Sequence, residues 1–202
     1  MRFVLASNNK GKLREMKELL GDLGIEILSQ KEAGLDIEVE ENGSTFRENA
    51  MIKARAACEA LGIPAIADDS GLCVDALNGE PGIYSARYGG EGLDDKEKYR
   101  LLLKNMEGKS DRNAQFVCAI VCVMPDGEVI DAWGECPGEI LYAPQGDGGF
   151  GYDPVFYVPE FARSMAELSM SEKNSISHRG KALREFKIKL EKYFEENNYA
   201  DR

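Results

Sequence analysis

The chain has 202 residues, 43% hydrophobic and 30% charged, a size and mix suited to one globular domain or two lobes sharing a core. A globule of this length buries roughly 70% of its unfolded surface and needs no disulfide staples. The net charge of −11 excludes the global basic footprint of a nucleic-acid-polymer partner, and the longest apolar run, residues 116–124, is far too short to cross a bilayer.

The start, Met-Arg-Phe-Val-Leu-Ala-Ser, lacks the longer apolar region of a signal peptide, so a cytoplasmic location and no membrane partner are expected. Residues 3–6 read as a short buried strand, followed by the polar turn Ser7-Asn8-Asn9-Lys10-Gly11-Lys12. A helix then begins with Leu13, Met16, Leu20 and Leu23 on one face, and Gly21 and Gly24 as terminators. Residues 25–28 suggest a second strand. Thr45 and Glu48 fit a capping box opening an alanine-rich helix to about Leu61, in which Asn49 and Lys53, four apart, share a face. A short apolar strand then leads into Asp68-Asp69-Ser70-Gly71, read as an acidic turn, with a further strand over residues 72–77.

Asp94 and Glu97 offer another capping box, before a helix using Tyr99, Leu102, Leu103 and Met106. Residues 115–124 and 129–135 flank Pro125-Asp126-Gly127-Glu128, a strong hairpin signal. Ser177 is the expected cap of a last helix whose face uses Leu183, Phe186, Leu190 and Phe194. Helices and strands interleave around an antiparallel hairpin, which points to a mixed α/β fold, α+β in its connections, with a mixed sheet. The domain is expected over 1–195, with 196–202 a frayed tail. Five cysteines form no CxxC pair; Cys118 and Cys122 share one face of a strand, as small buried hydrophobes of a reducing compartment do.

Four segments carry candidate chemistry. A strand ending in the Ser7–Lys12 turn and opening a helix can aim amides and the helix dipole at phosphate, although such a segment alone is more often an ordinary capped turn. It is not a Walker A loop, since GxxxxGK[ST] is absent. Glu38, Glu40 and Glu41, together with Asp68 and Asp69, supply carboxylates of the type that holds magnesium beside substrate phosphates or activates water; a solvated acidic loop is the plainer alternative. Glycines around Phe150 in Gly148-Gly149-Phe150-Gly151-Tyr152-Asp153-Pro154 would let a flat ligand approach the backbone and stack on the ring, where a packed turn is the commoner use. Ser177-His178-Arg179, at a helix start, offers donors to carbonyl oxygens, though a lone histidine is more often structural.

Taken in order, Ser7-x-Asn9-x-x-Lys12, Glu41-x-Gly43-x-Thr45-Phe46, Glu48-Asn49-Ala50-x-x-Lys53-Ala54, Ala67-Asp68-Asp69-Ser70-Gly71, Pro81-Gly82-x-x-Ser85-Ala86-Arg87, the Phe150 loop and Ser177-His178-Arg179 closely resemble the inosine triphosphate pyrophosphatase family, from residue 5 to about 190. Seven ordered motifs are specific where each alone is weak.

The resemblance implies an elongated mixed α/β fold with two lobes around a central substrate cleft, usually a homodimer. It implies hydrolysis of deaminated purine nucleoside triphosphates (ITP, dITP, XTP) to a monophosphate and pyrophosphate. By the same resemblance, Ser7, Asn8, Asn9, Lys10, Gly11 and Lys12 hold the phosphates, helped by Lys53 and Lys173. Glu41 and Asp69 position Mg2+, and Asp69 is also the general base. Ser70 contacts substrate, Phe150 stacks on the purine, Gly151, Tyr152 and Asp153 line its pocket, and His178 and Arg179 read the base. A related Maf-type pyrophosphatase is disfavoured by the Phe150 and His178 motifs, and a non-hydrolysing nucleotide-binding module by the Asp68-Asp69 pair and the lysines.

Overall fold

The computed structural model describes residues 1–197. Seven strands form one mixed sheet in the order β2-β1-β3-β4-β5-β6-β7. Strand β1 (Arg2–Leu5) runs parallel to β2 (Glu26–Ser29) and β3 (Ala65–Val74), whereas β5 (Val129–Ile140) is antiparallel to β6 (Phe156–Val158), and β6 to β7 (Arg163–Ser164). Between β3 and β5, β4 (Asn113–Val123) ends in the expected hairpin, where the Met124 amide donates to Glu128 O at 2.9 Å. The mixed α/β class read from the sequence is the observed one.

The chain divides into two compact units. The first comprises Met1–Asp69, Cys118–Trp133 and the residues from Lys181 onward; the second comprises Ser70–Val117 and Gly134–Gly180. In the first unit the strands are covered on both faces, so adjacent β1 residues serve different clusters. Phe3 and Leu5 join Met16, Leu20, Ile120, Phe186 and Leu190, while Val4 and Ala6 join Ala50, Ala54, Ala57 and Val121. That double burial is why these strands read as continuous apolar runs rather than alternating ones. Cys118 and Cys122 lie in the same cluster, as their spacing requires. The second unit has its own core around Leu72, Leu102, Met106, Phe116, Ile140 and Phe156.

Helix α1 (Lys10–Leu20) begins earlier than expected, because Asn9 caps it: Asn9 Oδ1 accepts from the Gly11 and Lys12 amides at 2.9 and 3.1 Å. Most of the polar turn is therefore first helical turn. A short 3-10 segment follows to Leu23, and Gly24 at φ 67° ends it. Helix α2 (Phe46–Leu61) is capped by Thr45, but the box is only half made. Thr45 Oγ1 accepts from the Glu48 amide, while Glu48 reaches the Ser44 amide and hydroxyl instead. On α3 (Asp95–Asn105) the box between Asp94 and Glu97 is complete.

The largest departure is β3. The segment 68–71, expected as an acidic turn between two strands, is the middle of one ten-residue strand. Polar composition suggested a turn; the side chains of Asp68 and Asp69 instead find partners from other elements, Lys12 and the buried Asn49. Helix α4 (Met170–Ile176) was not foreseen, since seven residues are too few to show a helical period. Ser177 ends α4, and its hydroxyl accepts from the Gly180 amide at 3.0 Å to cap α5 (His178–Glu196), as expected. Helix α5 runs to Glu196, the first residue of the expected tail, and the part of that tail beyond Asn197 lies outside the described residues. Among the described residues no helix is long and apolar enough to cross a membrane.

Candidate active site

The candidate residues fall into two groups, one in each unit. In the first unit, spacing on α2 does what the sequence required. Asn49 and Lys53, one turn apart, both address β3: Asn49 Nδ2 donates to Asp69 Oδ2 at 3.1 Å, and Lys53 Nζ donates to the Asp68 carbonyl at 2.9 Å. The same ammonium lies 3.2 Å from Glu41 Oε1 and 4.0 Å from Asp69 Oδ1. Lys12, on α1, pairs with Asp68 Oδ1 at 2.9 Å. Two lysines and three carboxylates from four segments thus meet at β3, none of them near another in sequence except Asp68 and Asp69.

Burial dominates the Asp69 carboxyl and pushes its pKa above the usual carboxylate range. Lys53 and the Asn49 amide pull it back, and the charge of Glu41 pushes it up again. A carboxylate oriented by an amide donor and raised above its ordinary pKa is a competent proton acceptor. Gly43 belongs to this arrangement: its amide donates to Asn49 Oδ1 at 2.9 Å, and a Cβ there would sit 2.7 Å from that oxygen.

The Ser7–Lys12 segment is partly committed to itself. Ser7 Oγ accepts from the Asn9 amide, Asn9 Oδ1 holds the Gly11 and Lys12 amides, and Asn8 Oδ1 accepts from the Lys31 amide. Lys10 and Gly11 remain exposed. The positive helix end persists, but two of its amides already have an acceptor.

The second unit gathers Ser70, the Phe150 loop, Lys173, His178 and Arg179. Asp153 is buried, accepts from the Phe150 amide at 2.9 Å, and pairs with Lys173 Nζ at 2.6 Å. Burial raises its pKa, and Lys173 opposes that most strongly. Lys173 Nζ also lies 4.3 Å from the Phe150 ring centroid, so Lys173 groups with the aromatic loop. Phe150 is 57% exposed, although its amide is held by the buried Asp153 carboxylate.

The glycines of this loop have a more specific use than ligand approach. Gly149 has φ 73°, and a Cβ there would overlap the Asp153 carboxylate, while one on Gly148 would meet Ala166 O at 2.5 Å. Tyr152 turns its side chain inward, its hydroxyl donating to the Ser85 carbonyl at 2.7 Å. Ser85 in turn accepts from the Leu72 amide and donates to Gly82 O, which gives the Pro81–Arg87 motif a bracing role. The His178 ring stacks on Phe116 at 4.9 Å and 15°, and Arg179 Nη2 donates to Ser70 Oγ at 3.3 Å. Both side chains are buried, so what polar capacity they offer a ligand is fixed in direction.

Sequence reasoning assigned no role to Asn49 or Asp95, and it named Asp68 as a metal or base candidate beside Asp69, where the structure pairs it with Lys12. For Asn49 a signal existed, its shared face with Lys53. Asp95, whose Oδ2 accepts from the Gly151 amide 56 residues away at 2.8 Å, carries no local signal.

The Ham1 family profile matches residues 3–189. A dITP/XTP pyrophosphatase of Desulforamulus reducens is 53% identical over 186 residues, covering 91% of this chain and 92% of that protein. The structure of the Staphylococcus aureus Ham1 protein superposes with a TM-score of 0.90 at 47% identity, covering 96% of this chain and 100% of the other. That of a HAM1 protein from Coxiella burnetii gives 0.91 at 46% identity, covering 95% and 99%.

Proposed function

The chain belongs to the Ham1 family, and from that premise we propose that it hydrolyses deaminated purine nucleoside triphosphates, ITP, dITP and XTP, to the monophosphate and pyrophosphate. The observation that carries the reading is the buried Asp69 carboxylate, oriented by Asn49 and flanked by Lys53, in a chain about half identical to a dITP/XTP pyrophosphatase. Water attacks the α phosphorus, its proton passes to Asp69, and the bond from that phosphorus to the bridging oxygen breaks, the electron pair leaving with pyrophosphate. Lys12 and Lys53 offer positive charge to the phosphoryl oxygens, on which negative charge builds.

Magnesium fits the donor set. Glu41 and Asp69 both converge on the Lys53 ammonium, and the charge of Glu41 raises the Asp69 pKa, a repulsion that a further cation beside the pair would relieve. Magnesium takes one or two carboxylates and completes its shell with water and substrate phosphate. When bound, it would neutralise charge on the departing phosphates.

On the base side, Phe150 offers a stacking face, and Arg179 and His178 offer donors that suit a 6-oxo purine. Adenine presents a donor amine at that position and would leave them unpaired, a mismatch that discriminates strongly. Guanine shares the 6-oxo group, so its rejection requires a second element around the 2-amino group. We further propose a cytoplasmic location, supported by cysteines that pack as small hydrophobes in the apolar cores, Cys118 and Cys122 in one, Cys136 and Cys58 in the others, and a homodimer, supported by the family resemblance alone.

The decisive measurement is pyrophosphate release from ITP, XTP, dITP, ATP, GTP and dTTP, with magnesium and then with chelator. Chelator-sensitive release from ITP and XTP, with little from ATP and GTP, is expected. Preference for dTTP, or no release from any nucleotide, would overturn the proposal.

A further inference from the structure

Phe150 stands on a backbone pinned at both sides. Its own amide donates to Asp153 Oδ2 at 2.9 Å, and the next amide, that of Gly151, donates to Asp95 Oδ2 at 2.8 Å. Because the peptide units are planar, fixing these two amides fixes both soft dihedrals of Phe150. One carboxylate is local, three residues along the chain. The other comes from the first turn of α3, whose start is set by the complete box between Asp94 and Glu97.

We infer that Asp95 is a positioning residue for the Phe150 ring, holding the aromatic face in its base-binding orientation before nucleotide arrives. Asp95 sits in the first turn, where the helix macrodipole favours a carboxylate, and a carboxylate is the stronger kind of acceptor for the Gly151 amide. Its other oxygen lies 3.8 Å from Lys98 Nζ on the same helix, which keeps the side chain directed along α3. Gly151 adopts φ 61°, a conformation that a free loop would populate along with others; the Asp95 contact selects it. Lys173 Nζ then lies 4.3 Å from the ring centroid. An exposed aromatic ring held this way loses little freedom on binding, and its affinity benefits accordingly.

The inference rests on the reading that Phe150 stacks on the base, and a mutant cycle separates the two. Asp95→Ala, Asp95→Asn, Phe150→Ala and the Asp95→Ala/Phe150→Ala double variant are compared for ITP hydrolysis, with thermal melts confirming each fold. The expected result is that Asp95→Ala raises KM by roughly three- to tenfold and lowers kcat much less, the pattern of lost uniform binding. Asp95→Asn, whose amide oxygen can accept the same bond, recovers most of that loss. In the Phe150→Ala background the Asp95→Ala effect disappears. If Phe150→Ala raises KM but Asp95→Ala does not, or if the two effects add in full, Asp95 does not act through the ring and the inference falls. If Phe150→Ala itself leaves KM unchanged, the stacking reading fails first and takes the inference with it.

Discussion

Asn49 Nδ2 donates to Asp69 Oδ2 across 3.1 Å with both side chains buried, and the same Asn49 accepts from the Gly43 amide through its oxygen. One side chain therefore orients the proposed general base and anchors the segment that carries Glu41. Asn49→Ala leaves a buried carboxylate and a backbone amide without these partners. It is expected to destabilise the fold by about 1–3 kcal/mol and to lower kcat. Urea unfolding and turnover on ITP test this together; an unchanged kcat would show that Asp69 needs no such orientation.

Asp69→Asn separates chemistry from stability. Burial holds the native carboxyl above its ordinary pKa, so its ionised form is less favourable folded than unfolded at neutral pH. A neutral amide removes that penalty. Turnover is expected to fall by at least ~100-fold, while the melting temperature holds or rises. Retained turnover would remove Asp69 as the base.

Arg112 is a buried cation that satisfies backbone rather than carboxylate. Its guanidinium donates to the carbonyls of Ile140 at 2.8 Å, Met106 at 3.1 Å and Leu141 at 2.7 Å. Arg112→Leu would deprive three carbonyls of a donor, at a cost of roughly 3 kcal/mol or more. Arg112→Lys should rescue little, because a point ammonium cannot reproduce a planar fork. Denaturant midpoints of the two variants check this, and a fully stable lysine variant would contradict it.

Glu172 sets a pH dependence. The Ser169 amide, the Arg163 guanidinium and the Ser169 hydroxyl, in that order, pull its carboxyl from 4.5 down to about 2. A depressed folded pKa means the contribution to stability is complete above the ordinary value and is lost as pH falls through about 2. The melting-temperature difference between the native chain and Glu172→Gln should thus be constant above about pH 5 and shrink steadily below it. A difference that does not change with pH would mean that the capping geometry, not the charge, stabilises α4.

Gly149 and Gly151 both have positive φ, 73° and 61°, yet they should respond differently to a methyl group. At either position alanine pays about 1–2 kcal/mol in backbone strain. At Gly149 the added carbon also meets Asp153 Cβ and Cγ at 2.9 Å, whereas at Gly151 it meets nothing within 4 Å. Gly149→Ala should therefore disturb the contact of Asp153 with Lys173 and weaken ITP binding well beyond Gly151→Ala. Equal KM values for the two variants would refute this.

Local interactions were legible in the sequence because their partners lie within a few residues. The Asp94–Glu97 box, the 125–128 hairpin, the buried face of α5 and the shared face of Asn49 and Lys53 all follow from spacing alone. The ordered motifs also identified which polar residues to watch. Where local chemistry had two answers, the reading went astray: Glu48 chose Ser44 over Thr45, and Asn9 started α1 before Leu13.

Tertiary structure decided the rest, through partners that are distant in sequence. Asp68 and Asp69 lie within a continuous strand because Lys12, Asn49 and Lys53 receive their charges there; a run of polar residues on its own says turn. The tie from Asp95 to Gly151 spans 56 residues and leaves no periodic trace in either segment. Sequence by itself determined most of the elements and which side chains each presents, α4 and the continuity of β3 excepted, since backbone period and capping are short-range. Only the folded chain decided which of those side chains meet, because burial makes each charge seek a partner wherever the fold delivers one.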